Sequence, residues 1–110
     1  MSYDVSFKAK LEGMDKWVYV GAKWINYTSN VSTLIKEVCG SYPSYWNGKR
    51  CADIYPVLKR GADLLTQCPQ MYRQFEPANG WGSVEGTLEF LKNIISVCLE
   101  YPLAVIEVDY

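Results

Sequence analysis

Leu103-Ala104-Val105-Ile106-Glu107-Val108-Asp109-Tyr110, read LAVIEVDY, decides the fold of this chain. Ala104, Ile106, Val108 and Tyr110 alternate with Val105, Glu107 and Asp109. A period of two marks an extended strand with one face on a core. Pro102 precedes it and breaks the helix that comes before. One strand cannot form a sheet, and its partners must come from elsewhere. The beginning of the chain supplies them.

There, Tyr3, Val5, Phe7, Ala9 and Leu11 fall on one face, and Asp4, Ser6, Lys8 and Lys10 on the other. After the short connection Glu12–Asp15, which holds Gly13, comes Lys16 to Ile25, KWVYVGAKWI. That run is rich in β-branched and aromatic residues and reads as a second strand, with Gly21 as a bulge. The first 25 residues therefore read as a β-hairpin, and the C-terminal strand adds beside one of its two arms.

Between the hairpin and the last strand the period changes to 3.6. Thr28, Ser29 or Asn30 can cap a helix in which Val31, Leu34, Ile35 and Val38 recur and which Gly40 ends. SYPSYWNGKR, residues 41–50, reads as a loop with Asn47-Gly48 as its tightest turn. A second helix starts near Cys51 to Asp53, with Pro56 in its first turn and Cys51, Ile54, Leu58, Gly61, Ala62 and Leu65 on one face. It stops before Pro69, and Pro69 to Phe75 adds a short turn. Ser83 caps the last helix, whose apolar stripe is Val84, Leu88, Leu91, Ile95 and Cys98, widened by Phe90, Ile94, Val97 and Tyr101. The order β-β-α-α-α-β, with one apolar sheet face and helices as its only cover, predicts a two-layer α+β fold. Its sheet is three-stranded and of antiparallel type.

The totals bound the rest. The 110 residues suit one domain spanning 1–110. A net charge of −1 with no basic block argues against nucleic acid as the main partner. The start MSYDVSFKAK has no apolar run behind a basic end, and no window reaches the length of a membrane span. A cytoplasmic chain with no membrane partner is the expectation. The four cysteines, Cys39, Cys51, Cys68 and Cys98, are scattered and there is no histidine. We therefore expect free thiols, no metal site and no cofactor. The sequons at Asn26-Tyr27-Thr28 and Asn30-Val31-Ser32 then read as chance matches.

Three clusters stand out. EPANGWGSVEG, residues 76–86, is the glycine-rich one. Gly80, Gly82 and Ser83 could present backbone N–H groups to an anion at a helix start. The run lacks the lysine of a phosphate loop, however, and Glu85 puts negative charge there. The stronger reading is a helix entrance with Trp81 as an anchor at the edge of the core. Tyr42, Tyr45, Trp46, Lys49 and Arg50 form the second cluster: aromatics in a loop, and two cations that oppose the dipole of the following helix. Tyr, Trp and Arg are the usual anchors of interfaces. The loop reads either as an exposed recognition patch or as an ordered segment packed on the sheet rim. Trp17, Tyr19, Trp24 and Tyr27 are the third cluster, and alternation alone does not say which face of the strand they take. For nucleophilic chemistry only Cys51 lies near a helix start and cations, and it lacks a base. The carboxylates Glu76, Glu85, Glu89 and Glu100 are spaced as a solvated face.

YDVSFKAKLEG (residues 3–13), FEPANGWGSVEGTLEFL (75–91) and YPLAVIEV (101–108) together resemble small uncharacterised proteins of gut bacteria and their phages. The resemblance implies a phage or mobile-element accessory protein that acts by binding a host protein. It carries no catalytic residue. From the sequence we expect a non-enzymatic protein-binding protein that contacts its partner through Tyr42, Tyr45, Trp46, Lys49 and Arg50, with Trp81 as a neighbour. The alternative is a small-ligand or nucleotide-binding protein that stacks a base on Trp46 or Trp81 and uses Gly80, Gly82 and Ser83. Self-association as a homodimer, through a sheet edge or through Trp17 and Tyr19, is a further expectation.

Overall fold

A computed structural model describes residues 2–10, 13, 15–21 and 25–110. It is a two-layer α+β structure with an open antiparallel sheet on one side and helices on the other. The strands are β1 (Ser2–Lys10), β2 (Trp17–Tyr19), β3 (Ile25–Thr28) and β4 (Val105–Asp109). The helices are α1 (Ser32–Cys39), α2 (Cys51–Gln67), the single turn α3 (Pro69–Tyr72) and α4 (Val84–Glu100). The element order is thus β-β-β-α-α-α-α-β, with short 3-10 turns at Ser29–Val31, Pro43–Trp46 and Arg73–Phe75.

β1 is the centre of the sheet and pairs antiparallel with all three other strands. β4 runs beside residues 4–8, overlapping β3 at Asp4 and Val5 and β2 at Lys8. A strand has two edges, so β2 and β3 lie one after the other along one edge and β4 takes the other. The C-terminal strand does add beside the first. The expected single strand Lys16–Ile25 is corrected: it is two strands with a shift of register between them. Lys8 faces Tyr19, but Val5 faces Ile25, a register difference of three residues between the two pairings. Gly21, just after the first of them, has φ of 73°, the left-handed conformation glycine adopts without strain. Leu11, Glu12, Ala22 and Trp24, to which the sequence reading gave places, lie outside the described residues.

The register assigns the faces, because directly paired residues point the same way. Tyr3, Val5, Phe7, Ile25, Ile106 and Val108 share the buried face. Onto it pack Leu34, Ile35 and Val38 of α1, Ile54, Leu58 and Leu65 of α2, and Phe90, Leu91 and Ile94 of α4. All six positions expected on the inner face of α2 are buried. In α4 the buried line runs through Thr87, Leu91, Ile94 and Cys98, with Leu88 and Ile95 at its margin. The centre of that stripe is therefore rotated from the expected one. Pro56 is the sixth residue of α2 and not in its first turn, so Ala52 O goes without the bond a residue-56 N–H would have made. Among the described residues, no helix is long and apolar enough to cross a membrane.

α2 begins without a side-chain cap. Its first N–H groups bond instead to the turn before β4: Cys51 N to Ala104 O and Ala52 N to Pro102 O, both 2.8 Å. The segment ahead of it runs along the outer edge of β4. Gly48 N donates to Ile106 O, Ile106 N donates to Lys49 O, and Val108 N donates to Asn47 Oδ1. Arg50 and Val105 form an antiparallel bridge. Residues 47–50 thereby satisfy backbone groups that an edge strand would otherwise present to other chains.

Candidate functional site

The five loop residues singled out at 42–50 separate into two kinds. Trp46 is 0% exposed, its indole N–H donating to Ser41 Oγ at 3.1 Å. The expectation that Trp46 touches a partner or stacks a base is corrected: the 3-10 turn Pro43–Trp46 points this ring inward and packs beside β4. Its burial holds the other four in place. Tyr42 and Tyr45 are exposed, and the Lys49 ammonium sits 4.5 Å from the centre of the Tyr45 ring. Arg50 is exposed at the edge of the sheet.

The third cluster divides: Tyr27 pairs with Tyr3 on the core side and packs against Phe90, whereas Trp17 and Tyr19 lie on the open side of the sheet. Trp17 pairs with Lys10 and Tyr19 with Lys8, on the face away from the core. They are 48% and 64% exposed. The ammonium groups of Lys8 and Lys10 lie 5.6 and 5.4 Å from the Trp17 ring centre, within cation–π range. Lys8 also pairs with Glu107 at 2.5 Å, and the Tyr19 hydroxyl donates to the same carboxylate. The hydrogen bond from Lys8 is the main cause that holds the Glu107 carboxyl below its ordinary value and the Lys8 ammonium above its own. Arg50 bridges Val105, Val105 pairs with Lys8, and Lys8 pairs with Tyr19. One row across the sheet thus runs Arg50, Val105, Lys8, Tyr19. Arg50 of the second cluster and Tyr19 of the third meet on one surface, a juxtaposition that depends on the β4 register and has no signal in local sequence.

Trp81 does not join them. It lies on the β3 side of the sheet, whereas 47–50 lines the β4 side, so its expected place beside the 42–50 segment is corrected. It is 69% exposed and no anchor in the core edge. With Ser2, Asn26, Thr28, Asn30 and Asn79 it lines a depression of about 480 Å³. Sequence reasoning passed over the three asparagines, setting two of them aside as chance sequons.

The α4 start is built as expected, with Ser83 Oγ accepting from Gly86 N at 2.9 Å. It is not open to an anion. Ser83 N donates to the Tyr27 hydroxyl, and Val84 N donates to Glu76 Oε2 at 2.8 Å. A carboxylate of the chain itself thus occupies the place a phosphate would take. Arg73 ties Glu76 and Glu85 together at 3.3 and 2.5 Å. Its hydrogen bond, with the backbone N–H of Glu85, holds the Glu85 carboxyl down at about 2. Of the donors expected to meet a phosphate, Gly80 N is bound to Pro77 O and Ser83 N to the Tyr27 hydroxyl.

The thiols are no better placed for chemistry on a substrate. Cys39, Cys51 and Cys98 are buried and free. Burial pushes Cys39 up to about 12. The hydrogen bond with Cys51, and burial after it, push the Cys98 thiol well up. Among the described residues, no group of histidine, cysteine or acidic side chains is arranged to hold a metal. No protein-family model, no curated protein and no solved structure matches this chain.

Proposed function

We propose that this chain is a non-enzymatic protein-binding protein that docks its partner on the open face of the sheet and on the adjoining 42–50 segment. One observation carries this reading. Two exposed aromatic rings, Trp17 on the open face and Tyr45 in the 42–50 segment, each have a lysine ammonium against the ring. Such contacts restrict large side chains before a partner arrives, which lowers the ordering cost of association. Tyr19 and Arg50 stand in the same row, and Tyr, Trp and Arg are the residues on which binding energy concentrates. The cations beside the rings suit a partner surface that carries carboxylates among apolar groups. The chemistry of the chain favours binding over catalysis, since it has no histidine and its thiols are largely buried. On the resemblance to phage-encoded proteins, the partner is a host protein met in the cytoplasm.

A matched pair of variants tests this. Trp17→Ala/Tyr45→Ala/Arg50→Ala changes the proposed face, and Glu89→Ala/Lys92→Ala changes the solvent side of α4. A partner captured from host lysate by the unmodified chain and by the α4 variant is expected to bind the triple variant at least about 30-fold more weakly, the loss of one hot spot. Equal affinity for all three proteins overturns the assignment of the face.

A further inference from the structure

The depression beside Trp81 lies at the β3 end of the open sheet face, away from the row that carries Lys8, Tyr19 and Arg50, and its chemistry is different. Its lining, Ser2, Asn26, Thr28, Asn30, Asn79 and Trp81, contains no ionisable side chain. It offers three carboxamides, two hydroxyls and one indole. Each carboxamide is held at one end by the chain. Asn26 Nδ2 donates to Asp4 Oδ1 at 2.7 Å and to Tyr3 O. Asn30 Nδ2 donates to Thr28 Oγ1 at 3.0 Å. Asn79 Oδ1 accepts from Trp81 N at 2.9 Å. Among the described residues, the opposite ends make no hydrogen bond. Asn26 Oδ1 and Asn30 Oδ1 are therefore available as acceptors, and Asn79 Nδ2 as a donor.

The backbone fixes Trp81 among them. Gly80 and Gly82 have φ of 78° and 122°, which side-chain-bearing residues rarely adopt. A Cβ on Gly82 would meet Val31 Cγ1 at 2.4 Å and Thr28 Cγ2 at 3.2 Å. The glycine thus brings the 79–82 loop tightly onto the end of β3 and the 3-10 turn that follows. The two glycines bring the indole to the depression that the three amides also line, with little of the ring packed against the chain. The ring is 69% exposed, so most of it is open to a ligand.

We propose that this depression binds a neutral saccharide. The axial C–H face of a pyranose stacks on an indole, and its hydroxyls, each both donor and acceptor, match oriented carboxamides. The volume lies within the range of small-molecule sites, roughly 300 to 1,000 Å³. Charge selects against the competing class. A nucleotide would bring phosphate to a site that has no cation among its described lining residues, next to an α4 start already occupied by the Glu76 carboxylate. Preorganised side chains and a shallow, wet site together imply weak binding of one or two rings that becomes useful on a multivalent glycan.

The test is a titration of the ¹⁵N-labelled chain with cellobiose, maltotriose, N,N′-diacetylchitobiose and mannobiose, followed by amide and side-chain resonances. Adenosine monophosphate is run in parallel. The expected result is saturable movement of the Trp81 indole N–H and of the Asn26, Asn30 and Asn79 side-chain amides with at least one saccharide, and none with the nucleotide. Trp81→Ala is expected to weaken that saccharide at least about tenfold, with Trp81→Phe between the two, as for loss of an interface anchor. Thermal melts of both variants confirm the fold, and Trp17→Ala leaves the titration unchanged. Four results each overturn the proposal: no movement with any saccharide, movement confined to other residues, movement with the nucleotide alone, or a Trp81→Ala variant that melts normally and binds as before.

Discussion

Replacing Trp46 by alanine removes the largest fully buried side chain among the described residues. A buried aromatic ring of this size covers roughly 150 to 250 Å², worth about 4 to 6 kcal/mol at the usual coefficient as an upper limit. Measured large-to-small changes of this type cost about 3 to 5 kcal/mol. The indole N–H bond to Ser41 Oγ goes as well. A domain of this size has roughly 5 to 15 kcal/mol in total, so the variant is expected to keep its fold only narrowly. The midpoint of thermal unfolding should fall by at least about 12 °C, at roughly 4 °C or more per kcal/mol. Urea unfolding followed by circular dichroism measures the loss directly. The damage should also be local. Gly48 and Ile106 exchange backbone bonds with the segment that Trp46 anchors, so hydrogen exchange at those amides should accelerate beyond the global change. The matched control is Trp81→Ala, which should stay within about 0.5 kcal/mol of the parent. If Trp46→Ala costs less than about 1 kcal/mol, or no more than Trp81→Ala, then the inward-facing tryptophan is misassigned. The account of how the 42–50 segment is held would fall with it.

Other outcomes can be checked alongside. Gly61→Ala gains helix propensity of about 1 kcal/mol, but its Cβ would meet Cys39 Sγ at 2.4 Å, with Leu91 and Val38 close behind. Overpacking should win, and urea titration should show a net loss of about 1 to 2 kcal/mol. Ser83→Ala removes the α4 cap and should cost about 1 kcal/mol in the same assay. Thr87 is fully buried and its hydroxyl has no partner among the described residues. Thr87→Val should therefore match or exceed the parent, by up to about 1 kcal/mol. Glu85 has a depressed folded-state value of about 2. Its contribution is present above the ordinary carboxyl value of roughly 4.3 and is lost as pH falls through about 2. Glu85→Gln should thus lower the melting midpoint at neutral pH, and the gap from the parent should close across that acidic window.

The sequence by itself determined the layers. Strict alternation in Tyr3–Ala9 and Ala104–Val108 and the helical periods of α1, α2 and α4 come from residues close in the chain, so local backbone geometry fixes them. Gly40 as helix terminator and Ser83 as cap were legible for the same reason, since each acts within one turn. The split of the second strand was not legible, because a three-residue change of register shows only once β1 supplies the pairing on both sides of it. Nor was the fate of the aromatics. Trp46 and Trp81 both sit in short glycine- and asparagine-flanked loops, yet one is buried and the other largely exposed. What separates them is distant. Trp46 meets β4, about sixty positions later in the chain, while Trp81 is carried by Gly82 onto Thr28 and Val31. The candidate surfaces depended on tertiary structure in the same way. Arg50 joined Tyr19 through a β-bridge and two strand pairings, and Asn26, Asn30 and Asn79 came together across a fold. Secondary structure follows from contacts a few residues apart, whereas sites are made where distant segments meet, and only the packed chain decides which ones do.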